Sequence, residues 1–171
     1  MSTSPAIAIL VSGLPGSGKT FFAKRFAPAI GAAYFSTDIM RKTMTPERTY
    51  SPMEKATVYT AMMERMDHSL RAGQTVVLDA TFYKQDLRSD FVKAAQTANS
   101  KVLFIEVRAN KSVVRDRLSQ AREDSDADYK VYLNLRDLYE PIKEPHLVLH
   151  SDKTDVKEMI SMAIAWVAEN R

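Results

Sequence analysis

Gly13-Leu14-Pro15-Gly16-Ser17-Gly18-Lys19-Thr20 is the stretch from which the rest of this chain is read. It meets the pattern G-x-x-x-x-G-K-[ST] at every fixed position. Upstream, residues 6–11 (AIAILV) form an apolar run of buried-strand length. Downstream, residues 20–27 (TFFAKRFA) are helix formers whose aromatics are spaced to share a face. Strand, glycine loop and helix in this order form a phosphate-binding loop, because the glycines let successive backbone N–H groups turn onto phosphate oxygens at a helix N-terminus. Lys19 is then placed to reach the β- and γ-phosphates, and the Thr20 hydroxyl to ligate Mg²⁺. The expected ligand is a nucleoside triphosphate with Mg²⁺, and ATP and GTP are both open.

The whole chain suits such a ligand. At 171 residues it is long enough for one domain with a full layered core, and residues 1–171 are read as a single unit. The formal net charge of +3 favours anionic ligands but is too small to establish nucleic-acid binding. Cysteine is absent, which excludes disulfides, thiolate catalysis and cysteine-held metals. No apolar run reaches the length of a membrane span, and the N-terminus lacks the basic start of a signal peptide. The expectation is a cytoplasmic protein without membrane contact. Oligomeric state leaves no mark in the sequence.

Beyond the loop, short apolar runs alternate with helical patterns. Strands are expected at residues 32–35, 75–78, 101–107 and 146–150. Helices are expected at about 18–30, 39–42, 53–72, 86–98, 111–121, 127–138 and 155–170. Alternation at this spacing implies βαβ units and hence a parallel sheet covered on both faces. The fold class is α/β: a three-layer α/β/α phosphate-loop fold with a five-stranded parallel sheet and a helical lid at about residues 108–140. Five strands and a lid resemble the nucleoside-monophosphate-kinase architecture, whose usual strand order, 2-3-1-4-5, is the one expected. Ala56, Tyr59, Met62, Met63, Met66 and Leu70 recur at helical spacing and read as core. Phe21, Phe22, Tyr34 and Phe35 read as core rather than base-stacking platforms. The histidines, His68, His146 and His150, have no ligand spacing.

The chemistry is narrowed by what accompanies the loop. A switch GTPase needs Asn-Lys-x-Asp, and Asn110-Lys111-Ser112-Val113 lacks the aspartate. A helicase or mechanical ATPase needs more chain. A small kinase needs a carboxylate at the acceptor hydroxyl, a second near the metal, and cations that close on the transferring group. Asp38, in Ser36-Thr37-Asp38-Ile39-Met40-Arg41, falls at the tip of the second strand, where it can take a hydroxyl proton. Arg41 shares its helical face and is read either as its partner or as a grip on an anionic acceptor group. Val76-Val77-Leu78-Asp79 runs apolar residues into a carboxylate, which places Asp79 near Mg²⁺ through water. Thr81 and Arg88 are assigned to the acceptor side. Between Arg108 and Arg122 stand five cations and one acid. Arg122 is the phosphate contact expected first and Arg117 second, while Arg115 reads as solvated. The nucleotide-binding set is therefore Gly13, Pro15, Gly16, Ser17, Gly18, Lys19, Thr20 and Phe21 with Arg117 and Arg122. By resemblance to small kinases, residues 151–153, after the fifth strand, are expected near the nucleobase.

Together, GLPGSGKT, Ser-Thr-Asp-Ile-Met-Arg (S-x-D-x-x-R), Val-Val-Leu-Asp-Ala-Thr-Phe with Arg88 beyond it, Arg122-Glu-Asp-Ser-Asp-Ala-Asp and the late Glu140-Pro141 resemble a family of small P-loop kinases. The family includes the kinase module of 5′-OH polynucleotide kinases, and zeta-toxin-type and gluconate kinases are more distant relatives. The resemblance spans residues 7–151. It implies a Mg²⁺-dependent kinase with Asp38 as general base, Arg41 as an acceptor-side or base-orienting residue, and Arg122 as the lid arginine, with Lys19 completing the catalytic set. The acceptor it implies is the 5′-OH end of DNA or RNA. Two alternatives stay open: a small alcohol (sugar, nucleoside or antibiotic), and a non-catalytic nucleotide-binding regulator.

Overall fold

A computed structural model of the chain describes residues 4–45, 47, 49–120 and 128–171. It holds β1 (Ile7–Ser12), α1 (Lys19–Ala29), β2 (Ala33–Ser36), α2 (Thr37–Met44), α3 (Pro52–Arg71), β3 (Val76–Asp79), α4 (Gln85–Thr97), β4 (Lys101–Arg108), α5 (Lys111–Leu118), α6 (Tyr129–Leu138), β5 (His146–His150) and α7 (Val156–Asn170). The strands form one parallel sheet in the order β2-β3-β1-β4-β5, which is the order expected.

β1 is central, and all six of its residues are buried. Successive side chains of a strand point to opposite faces, so its apolar run divides between two cores. Ile7, Ile9 and Val11 join Phe22 and Phe26 of α1 and Met159, Ala163 and Val167 of α7. Ala8 and Leu10 join Met62 and Met66 of α3 and Phe91 of α4. A strand enclosed on both faces has to be apolar along its whole length, which is why it carries no alternation. A smaller cluster, Val114, Leu118 and Tyr132, ties α5 to α6 and touches Leu14 of the glycine loop.

Most expected elements fall within a few residues of their observed bounds, and the differences are local. The second helix begins at Thr37 rather than at residue 39, so Asp38 lies in its first turn. There a carboxylate faces the positive end of the helix dipole. The fifth helix stops at Leu118, short of residue 121. In α3, Val58 is buried and Ala56 is exposed, whereas Met62, Met66 and Leu70 form core as expected. No helix among the described residues is long and apolar enough to cross a membrane.

Candidate active site

The glycine loop joins β1 to α1 at the carboxyl end of the sheet and borders a cavity of about 840 Å³. Two glycines are required by geometry. Gly18, the residue before α1, has φ +89, and a Cβ there would lie 2.9 Å from Ser151 Oγ. At Gly13 a Cβ would lie 2.6 Å from the Val107 carbonyl oxygen. The loop is also held from outside. Arg117 of α5 donates from Nη1 to the Gly16 carbonyl at 3.0 Å and to Ser151 Oγ at 2.9 Å, and from Nη2 to the Ser151 carbonyl at 3.3 Å. Ser151 Oγ in turn donates to the Ser17 carbonyl. Arg117 thus clamps the loop to the end of β5 while lining the cavity.

Thr20 and Asp79, both expected at the metal, are in direct contact. Thr20 Oγ1 donates to Asp79 Oδ2 at 2.7 Å, and the Tyr34 hydroxyl donates to the same oxygen at 2.7 Å. Asp79 is 1% exposed, and its Oδ1 has no protein partner. Burial pushes its carboxyl above the usual carboxylate range, opposed by the charge of Lys19 and by the two hydroxyl bonds. A buried carboxylate with one oxygen unsatisfied, beside a hydroxyl, is an oxygen donor set that fits a Mg²⁺ ion carried in by phosphates.

A second cavity, of about 690 Å³, opens on the α6 side of the loop. Its walls include Arg41 of α2, Tyr59 of α3, Thr81 and Tyr83 after β3, and Val131 and Leu135 of α6. Lys19 and Asp38 line both cavities. Arg41 is 7% exposed and bridges two carboxylates: Nη1 donates to Asp38 Oδ1 at 3.1 Å, and Nε lies 3.2 Å from Glu54 Oε1. The other Glu54 oxygen accepts from Thr49 N at 2.7 Å, Thr49 Oγ1 at 2.9 Å and Tyr50 N at 3.2 Å. The Thr49 amide bond, aided by the Thr49 hydroxyl, Tyr50 amide and Arg41 charge, holds the Glu54 carboxyl below its ordinary range against desolvation. Ser51 completes the arrangement by capping α3, its Oγ accepting from Glu54 N at 3.1 Å.

Several expectations are corrected by this geometry. Arg88 does not reach the acceptor side. It is fully buried, with Nη1 donating to the Phe82 carbonyl at 2.6 Å and Nη2 to the Glu140 and Pro141 carbonyls at 2.8 and 3.0 Å. Its guanidinium satisfies the carbonyls of two loops, and its one unpartnered nitrogen, Nε, is buried in a residue that lines neither cavity. Phe21 is not core: it is 55% exposed on the first cavity, with the Arg25 guanidinium 3.5 Å from its ring centroid. Pro15 lines the α6-side cavity, not the other. Thr81 lines the α6-side cavity and accepts at its carbonyl from Ser12 Oγ at 2.7 Å. Arg122 lies outside the described residues. Glu54 and Tyr83 escaped the sequence reading, and Tyr34 and Tyr59, read there as core, also reach the site. Glu54 alone carried a signal, the Ser51-x-x-Glu54 capping pattern.

Comparison with known proteins agrees with this architecture. A family model described as AAA domain matches residues 9–142. An uncharacterized protein of Mycobacterium tuberculosis (strain H37Rv) is 27% identical over 135 residues, covering 71% of this chain and 27% of the relative. The chain therefore spans about a quarter of the length of the curated relatives it matches. A sugar kinase from Janibacter sp. HTCC2649 is 19% identical with a TM-score of 0.76, covering 96% of this chain and 95% of that one. Chaetomium thermophilum Kti12, solved with ADP-AlF3, is 21% identical with a TM-score of 0.72, covering 92% and 97%. With its glycine loop, its 2-3-1-4-5 sheet and a family match over most of its length, this chain belongs to the AAA domain family AAA_33 and has the fold of the small P-loop kinases.

Proposed function

We propose that this chain is a phosphotransferase that moves the γ-phosphate of a nucleoside triphosphate to an alcohol. The observation that carries the reading is the sharing of two residues, Lys19 and Asp38, by cavities that otherwise have separate walls. The first cavity, with the glycine loop, Arg117 and Ser151, takes the nucleotide. The second takes the acceptor, with α6 as its cover. The acceptor oxygen forms a bond to the γ-phosphorus as the bond from that phosphorus to the β–γ bridging oxygen breaks. The nucleoside diphosphate leaves, and the acceptor proton passes to Asp38. Arg41 orients that carboxylate, and Glu54 holds Arg41 from behind. Lys19 offsets charge on the transferring group. Thr20 and Asp79 would hold Mg²⁺, which, when bound, neutralises charge on the phosphate oxygens.

Between the two acceptor classes, the cavity favours a small alcohol. Of the cations assigned to a nucleic-acid backbone, Arg88 is consumed by carbonyls and Arg41 by two carboxylates. The 5′-OH end of a polynucleotide is the second reading, supported by the S-x-D-x-x-R segment at the mouth of the site. The test is transfer from γ-labelled ATP or GTP with Mg²⁺ to a panel of alcohols that includes 5′-OH oligonucleotides. Asp38→Ala is expected to lower kcat by roughly 10²–10⁴-fold with nucleotide affinity retained. Undiminished transfer by that variant would remove Asp38 from the reaction and the reading with it. A polynucleotide acceptor would show apparent affinity falling steeply with salt, whereas a neutral small alcohol would not.

A further inference from the structure

Resting on that reading, we propose that the acceptor carries its hydroxyl on an uncharged body containing a planar aromatic ring, the class to which nucleosides and aryl glycosides belong. Three tyrosines, Tyr50, Tyr59 and Tyr83, and three aliphatic residues of α6, Val131, Leu135 and Leu138, line the α6-side cavity. Tyr50, Val131 and Leu138 are also among the most exposed large apolar side chains of the described residues, at 40%, 39% and 54%. A free polyol needs a hydrogen-bonding partner for each hydroxyl. The neutral groups offered here, besides the phenols, are Thr37, Thr81 and Asn134. Such a wall gains most from a ring, which buries a large apolar area and stacks on another ring.

The aromatic wall is also rigid. Tyr59 backs onto Phe82 and Phe91 at ring-centroid distances of 5.8 and 6.3 Å, and Phe82 meets Phe91 edge-on at 5.2 Å. Two of these aromatics are held in left-handed backbone, Tyr50 at φ +54 and Phe82 at φ +46. Bulky residues rarely adopt that conformation, and it persists where surrounding structure enforces it, commonly at ligand sites. Around Tyr50 the enforcement is visible, because Glu54 accepts from the Tyr50 amide. Around Phe82 it comes from Arg88 on the carbonyl and from the Tyr59 hydroxyl, which accepts from Phe82 N at 3.4 Å.

Charge on the lining excludes a strongly ionic acceptor. With Lys19 given to the phosphates, Arg41 and Lys55 face Asp38 and Asp137, two cations against two carboxylates. Arg41 is already paired with Asp38, and Asp137 accepts from Arg136. Among the described residues that leaves Lys55 as the one lining cation without an ion pair besides Lys19, too little for an acceptor bearing several charges.

Matched pairs test the inference: phenyl against methyl β-D-glucoside, and adenosine against methyl riboside. Each alcohol is assayed for transfer, and its binding is measured by calorimetry on Asp38→Asn loaded with a non-hydrolysable nucleotide. The ring-bearing member of each pair is expected to bind at least about tenfold more tightly, with the advantage lost in Tyr83→Ala and in Leu135→Ala. Both side chains are only half-buried, and circular dichroism would confirm that the variants fold. Equal binding within the pairs would overturn the inference and leave the kinase reading standing. Ring-dependent binding with no transfer to any alcohol would uphold the inference and overturn the kinase reading. Efficient transfer to a 5′-OH oligonucleotide, with a KM unmoved by both alanine variants, would also overturn it.

Discussion

The two cavities that meet at Lys19 and Asp38 are built on different principles. The loop-side cavity is centred on one contiguous stretch: the glycine loop runs through Gly16 and Gly18 into the first turns of α1, glycines permit the turn, and Arg117 and Ser151 brace it. The α6-side cavity is made mostly from side chains scattered between Pro15 and Leu138, on the glycine loop, α2, α3 and α6 and the segment after β3. Backbone donors recognise what all triphosphates share. Side chains from distant elements can be exchanged singly, so they can recognise what differs between acceptors. Conservative chemistry on one side and replaceable chemistry on the other let one fold serve many substrates.

The sharpest way to break this contrast is at the loop. Gly18→Ala puts a methyl group 2.9 Å from Ser151 Oγ on a backbone with φ +89. Nucleotide binding measured by calorimetry is expected to fall by at least about 100-fold, since strain of this kind costs about 1–3 kcal/mol before the clash is counted. Retained affinity would mean that the loop is not the rigid element described here. Next in size is Arg88, which separates a structural arginine from an acceptor ligand. Arg88→Met leaves the Phe82, Glu140 and Pro141 carbonyls without their donor and is expected to destabilise the fold by about 2–5 kcal/mol, read by denaturant unfolding. KM for the alcohol in the folded fraction is expected to stay near wild type, and a selective rise in KM would restore Arg88 to the acceptor side.

Asp79 sharpens the comparison from the metal side. Its carboxyl is raised by burial, so the folded chain holds the proton more strongly than the unfolded chain does. Without nucleotide, its effect on stability therefore becomes less favourable as pH rises from the unfolded carboxylate range through the folded pKa. Asp79→Asn removes that cost. The variant is expected to melt a few degrees higher in the absence of nucleotide and to bind Mg²⁺·nucleotide about 10- to 100-fold more weakly. The smallest effect is expected at Glu54, whose shift runs the other way. Its carboxyl is held low by the Thr49 amide bond first, so its stabilising contribution is full above the unfolded value of 4.5 and is lost as pH falls through the lower folded pKa. Glu54→Gln is expected to flatten the acid limb of the unfolding curve, with kcat reduced only severalfold through a less firmly held Arg41.

The same contrast explains what could be read in advance. The phosphate loop, its strand and helix, the Asp79 strand and the segment from Asp38 to Arg41 that shares one helical face are contiguous or nearly so. Local pattern and local geometry therefore determined them from sequence alone: period 3.6 for helices, unbroken apolar runs for strands buried on both faces, and glycine where the chain must turn. The joining of Thr20 and Tyr34 on one carboxylate oxygen, the burial of Arg88 among loop carbonyls and the closure of an aromatic cavity by α6 were decided only by tertiary structure. Each brings together residues tens of positions apart, and contacts at that range depend on how strands order themselves and helices pack, which no short window of residues records. Arg88 shows the cost of ignoring this: on a helix face it looks like any cation beside a site, and only the enclosing loops show that its charge is spent inside the protein.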